Sequence, residues 1–172
     1  MFRIALVYGA ISGILIIALM LLGMQTGAGH SMWFGYLTMV VVLSLIFVGV
    51  KRYRDNQLGG VVKFMPAFGL GLAIAAVAGV FYVISWEISL QLTDFAFVND
   101  YVAGTQAAYE AKGLTGEALA AKMEVWENWS TAYMNPLYRW PLTFIEIFPV
   151  GLIVALIGAA VLRNPKMFPA RS

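Results

Sequence analysis

The sequence predicts an all-α membrane protein, a four-transmembrane-helix bundle with a helical hairpin inserted between spans three and four. Composition is the first of three observations behind this. Of 172 residues, 61% are hydrophobic and 12% charged, against about 25% charged in soluble domains. The second is four apolar runs, residues 4–22, 32–50, 65–86 and 141–162, each about 28–33 Å long as a helix and so matched to a hydrocarbon core of about 30 Å. The third is charge division. Eight of the 11 Lys and Arg residues flank run ends on one side: Arg3, Lys51, Arg52, Arg54, Lys63, Arg163, Lys166 and Arg171. Seven of the 9 acids, Glu87, Asp94, Asp100, Glu110, Glu117, Glu124 and Glu127, fall in the one long polar stretch facing the other side.

Run one follows Arg3 and precedes the small residues Thr26, Gly27, Ala28 and Gly29, a pattern shared with signal peptides. Its apolar stretch exceeds the usual 7–15 residues of a signal core, so it is expected to be retained as a span. Run two follows after a short loop. With the basic ends inside, the positive-inside rule predicts both termini in the cytoplasm. Trp33, Tyr36, Tyr82, Trp86, Tyr138 and Trp140 gather at the opposite ends as an interfacial belt. Small residues at four-residue spacing predict close helix contacts: Gly9 and Gly13, Ala75 and Gly79, Gly151 and Ala155. Small side chains let backbones approach within a bundle or across a homo-oligomer face.

The extracytoplasmic segment, 87–140, carries helical periodicity. Ile88, Leu92, Phe95, Val98 and Val102 share one face, which predicts that span three continues out of the bilayer. A second set, Leu119, Met123, Trp126, Tyr133 and Leu137, follows the breaker residues 112–116. Thr115 is the expected N-cap, Glu117 sits in the first turn, and Pro136 is the expected stop. Seven acids and 3 bases leave this segment at −4.

Tyr53-Arg54-Asp55 with Gly59-Gly60, Ala67-Phe68, Asn135-Pro136, and Glu146 with Pro149-Val150-Gly151 occur in an order and spacing that resembles the bacterial domain of unknown function 4199 family. The likeness runs over nearly the whole chain. The resemblance implies a small four-span envelope protein of the bacterial inner membrane and assigns no activity.

Few residues bear chemistry. Glu146 is the lone ionisable side chain inside an apolar run, about 9 Å below Trp140. A charge at the bilayer centre costs about 2.5–3.5 kcal/mol, less near the interface, so Glu146 is expected to face the bundle or water. Pro149 withholds a donor from the carbonyl of Ile145. Together with Arg139, two turns earlier, they form a candidate intramembrane polar site. The structural alternative is an acid held by a neighbouring Tyr, Trp, Ser or Arg139. Lys51, Arg52, Arg54 and Lys63 are candidate lipid-headgroup ligands, or topological charge alone. Trp126, Trp129 and Tyr133 are a candidate outer contact surface, or hairpin core.

Other sites fail on residue count. Cysteine is absent, which removes disulfides and thiolate chemistry. His30 is the single histidine, and Glu124 with Glu127 lacks the histidine of a di-iron motif. No metal or other cofactor is expected, nor a nucleic-acid partner. No serine stands in a nucleophile-elbow context, and Gly59-Gly60 lacks the spacing of a phosphate loop. Asn128-Trp129-Ser130 is a glycosylation sequon in form only, on an expected helix. An enzyme is therefore not expected. The sequence favours an assembly or accessory protein of the cell envelope, with the bilayer and a membrane protein or a second copy as partners. A small proton- or ion-coupled transporter using Glu146 is the alternative.

Overall fold

A computed structural model describes residues 1–25 and 32–169. The expectations placed on His30, Thr26 to Gly29 and Arg171 lie outside them. The described residues form seven helices: α1 (Phe2–Gln25), α2 (Met32–Leu43), α3 (Leu45–Gln57), α4 (Phe64–Leu92), α5 (Ala96–Glu110), α6 (Gly116–Tyr133) and α7 (Pro136–Leu162). Four stretches are long and apolar enough to cross a membrane: α1, α2 continued by α3, α4 and α7. Helices α1, α2, α4 and α7 are apolar on nearly every face, as a helix between protein and lipid must be, whereas α3 turns polar from Lys51 on. The chain divides into two compact units, Met1–Ser85 with Thr143–Ser172, and Trp86–Leu142.

In the first unit, glycine sets how close the helices come. A Cβ on Gly13 would lie 2.5 Å from the Ala78 carbonyl oxygen, and one on Gly9 2.6 Å from Val77 Cβ, so α1 packs backbone to backbone on α4. A Cβ on Gly151 would lie 2.7 Å from Ala75 Cβ, and one on Gly79 2.5 Å from the Phe144 ring, so α4 meets α7 in the same way. All three small-residue pairs named from the sequence are thus used within the chain. Without a hydrophobic drive between helices in lipid, this close approach supplies the dispersion contacts that hold them. Ile16, Leu43, Ile46, Leu70, Ile74 and Ile147 fill the rest of the interior.

The second span is interrupted at Ser44. Its hydroxyl donates to the Val41 carbonyl at 2.6 Å, and its own carbonyl accepts from Phe47 at 3.0 Å, an i to i+3 bond that tightens the turn. Such back-bonding by serine competes with the helical ladder.

In the second unit, α4 ends earlier than the periodicity predicted. The Phe95 N–H donates to Leu90 at 2.9 Å and the Asp94 N–H to Gln91 at 3.4 Å, the 6→1 and 5→2 bonds of a Schellman stop. Asp94 occupies its left-handed position at φ 48, followed by Phe95 at φ 57. The expected breaker at residues 112–116 is a second such stop, with Gly113 at φ 83 and Leu114 donating to Tyr109 at 3.2 Å. Thr115 is the N-cap of α6 by backbone, but its side chain makes no capping bond. Pro136 opens α7 rather than simply closing the preceding helix. Asn135 Oδ1 accepts from the Leu137 N–H at 3.0 Å, and proline is at ease in the first helical position, where no N–H is needed.

Candidate functional site

Helix periodicity divides α7 into two faces. Thr143, Ile147, Gly151, Ala155 and Ala159 are buried, whereas Ile145, Glu146, Pro149, Ile153, Leu156 and Ile157 are exposed. Glu146 is the single ionisable residue on the exposed stripe. Its carboxyl group takes a hydrogen bond from the Tyr82 hydroxyl of α4, and Tyr82 itself is buried. The same hydroxyl stands 3.6 Å from Met20 Sδ of α1. One hydroxyl has one proton, so Tyr82 donates to the carboxylate or, when Glu146 carries a proton and donates, to the sulfur. Pro149 lies one turn beyond and offers no N–H to the Ile145 carbonyl. The Glu146 carboxyl group thus lies on an otherwise apolar stripe.

Arg139, the third residue of that candidate set, belongs to the Trp86–Leu142 unit, where Glu87 takes it up. Its Nη2 lies 2.8 Å from both carboxylate oxygens of Glu87 and its Nε 3.0 Å from Oε2. Nη1 donates to the Tyr133 carbonyl. The guanidinium also stands 5.1 Å from the Phe95 ring centre and 5.7 Å from that of Tyr133. Trp140 Nε1 and Gln91 Nε2 complete the Glu87 carboxylate, each at 3.0 Å. A buried charge is tolerable when every donor is placed in this way.

Around this pair runs an aromatic ladder between α5 and α6. Phe97 stacks edge-on with Trp86 at 5.1 Å, Tyr101 lies 5.5 Å from Trp126 and 5.4 Å from Trp129, and Trp129 lies 4.9 Å from Tyr133. Trp86 Nε1 donates to the Tyr133 hydroxyl at 2.9 Å. Tyr133 is buried, Trp126 and Trp129 are half-buried, and Tyr101 is exposed. The candidate contact surface thus divides: Tyr133 serves the interior, and Tyr101, unnamed from the sequence, joins the two tryptophans outside.

Residues 5–164 match the family described as Protein of unknown function (DUF4199). The chain belongs to that family. No curated protein and no solved structure matches it.

In this DUF4199 chain the basic loop is less uniform than its sequence. Arg54 is fully buried. It donates through Nε to Asp55 at 2.7 Å, through Nη1 to the Met167 carbonyl at 3.0 Å and through Nη2 to that of Phe168. Arg54 thereby fastens the segment after α7 beside the end of α3, and a cation at a helix C-terminus also suits the helix dipole. Its burial, rather than a lack of donors, keeps it from a headgroup. Lys51 is half-buried against Asp55, and Arg52 and Lys63 are exposed.

Among the described residues of this DUF4199 chain, no three His, Cys, Asp or Glu side chains come together as metal ligands would. Glu87 and Tyr82, which the sequence places only among the outer acids and the interfacial aromatics, and Tyr101 are site residues that the sequence does not single out. A signal for Glu87 was present: it ends span three as Arg139 begins span four, opposite charges at matching helix ends.

Proposed function

We propose that this protein is a non-enzymatic accessory protein of the bacterial inner membrane, with both termini cytoplasmic, which binds another membrane protein along the exposed face of α7. The observation that carries this is Glu146, exposed amid Ile145, Pro149, Ile153 and Ile157. An acid on a lipid-facing surface is unfavourable by up to about 2.5–3.5 kcal/mol, and a partner helix bringing a donor removes that cost. A Glu146 carboxylate and the Ile145 carbonyl, which Pro149 leaves without its helical donor, both accept, so the reading commits to a partner that supplies Lys, Arg, His or a hydroxyl.

The orientation rests on the eight basic residues at one set of helix ends. It puts the −4 segment and the Tyr101, Trp126 and Trp129 patch on the extracytoplasmic side, as a second contact area. Labelling of Glu117→Cys and Arg52→Cys tests it: a membrane-impermeant maleimide reaches the first in intact cells and not the second.

The second reading is a small proton- or ion-coupled transporter using Glu146, favoured by the hydrogen bond that joins it to buried Tyr82. Cross-linked co-purification from native membranes, paired with reconstituted flux, separates the two. Under the assembly reading Glu146→Gln keeps the partner, Glu146→Leu loses it, and purified protein in vesicles moves no protons. A proton flux abolished by Glu146→Gln would establish the transporter instead.

A further inference from the structure

We infer that a groove between the interrupted second span and α7 holds one acyl chain of an anionic phospholipid, whose phosphate sits at Lys51. The groove has a volume of about 250 Å³ and is lined by Val40, Ser44, Phe47, Val154, Ile157 and Gly158. Its walls are apolar, because the one hydroxyl among them, that of Ser44, is turned back onto the Val41 carbonyl. It opens outward, with Val40 49% and Ile157 59% exposed. Gly158 leaves the space open, since it offers no side chain where a Cβ would approach Phe47 no closer than 3.7 Å.

Charge at one end of the groove selects its occupant. Val40, Ser44, Phe47 and Lys51 follow one another at steps of 4, 3 and 4, so Lys51 lies on the groove-lining face one turn beyond Phe47. At that same end Arg54 binds carbonyls of the segment after α7, and the Phe168 ring meets Phe47 edge-on at 5.3 Å. Asp55 is shared between Lys51 and Arg54, which leaves the trio at +1. Arg54 is buried, so Lys51, ion-paired with Asp55 and partly exposed, is the member of the trio that reaches the surface. An apolar channel ending in a cluster of net charge +1 fits a hydrocarbon chain joined to an anionic phosphate. A zwitterionic lipid satisfies the channel and not the charge, and a free phosphate satisfies the charge and not the channel.

Native mass spectrometry of the delipidated full-length protein tests this with phosphatidylglycerol, phosphatidylcholine of the same chains, and glycerol phosphate. One phosphatidylglycerol is expected per chain, preferred over phosphatidylcholine by about fivefold, with no retention of glycerol phosphate. Lys51→Gln should abolish the preference and leave phosphatidylcholine binding unchanged. Gly158→Leu should weaken both lipids together, and Ile157→Trp, altering an exposed rim residue, repeats that result in a chain whose unchanged melting temperature shows it folded. Retained preference in Lys51→Gln, undiminished lipid binding in both groove variants, or glycerol phosphate binding as well as the lipid would each overturn the inference.

Discussion

Arg139 and Glu87 form an ion pair across 52 residues of chain, with Nη2 2.8 Å from the carboxylate. The Arg139 side chain is 1% exposed and that of Glu87 21%. The pair ties the end of α4 to the start of α7 within the Trp86–Leu142 unit. Removing one partner strands the other. A fully buried pair broken in this way costs about 3–5 kcal/mol, and the partial exposure of Glu87 brings the expected loss to about 2 kcal/mol for Glu87→Ala. Thermal unfolding in detergent, followed by tryptophan fluorescence, should show it. In a double-mutant cycle, Glu87→Ala with Arg139→Ala should lose less than the sum of the single variants.

Gly13 is expected to reject any larger side chain. Gly13→Leu would drive its Cβ to within 2.5 Å of the Ala78 carbonyl oxygen, and backbone does not yield as a side-chain tip does. Overpacking of this kind costs about 1–3 kcal/mol, so the variant should melt lower and expose α1 to proteolysis. Gly69→Ala, with nothing within 4 Å of the added carbon, should melt like the native chain.

Asp94 carries a testable strain. It holds φ 48, a left-handed conformation that costs a residue with a side chain about 1 kcal/mol relative to glycine. Asp94→Gly should therefore raise the unfolding temperature slightly, and Asp94→Val should lower it, because a β-branched side chain tolerates that conformation least.

Arg54 fastens the residues after α7. Arg54→Ala should release them, read as faster trypsin cleavage after Arg163 and Lys166, both exposed. Arg54→Lys should rescue poorly, since an ammonium cannot present the fork that reaches Asp55, Met167 and Phe168 together. Equal cleavage of native and variant chains would show that the clamp holds nothing.

The four spans were legible because hydropathy over about 20 residues is set by the bilayer rather than by any particular neighbour. Gly113 was legible because glycine announces a left-handed turn. The stop at Asp94 was not, since aspartate there breaks no apolar periodicity and the motif is recognised only by its backbone bonds. Pro136 is legible as a stop, since α6 ends at Tyr133, but not as the start of α7: proline stops one helix and suits the first turn of the next, and Asn135 ahead of it is the cap. Arg54 and Arg52 look alike in sequence, yet one is buried and the other exposed, because the difference lies in carbonyls more than 100 residues away. At Glu146 the sequence located the carboxylate and led to the expectation that it would face the bundle or water. The exposed stripe on α7 puts it at the bundle surface, joined to Tyr82, and only tertiary packing decides which side of a uniformly apolar helix turns outward.

A photo-crosslinking amino acid at position 153, two turns beyond Glu146 on the same face and 57% exposed as Ile153, tests the assembly reading most directly. Irradiation of native membranes should join the chain to a single, recurring membrane protein, and Glu146→Leu should remove that product. Cross-links to lipid alone, unchanged by Glu146→Leu, would contradict the account.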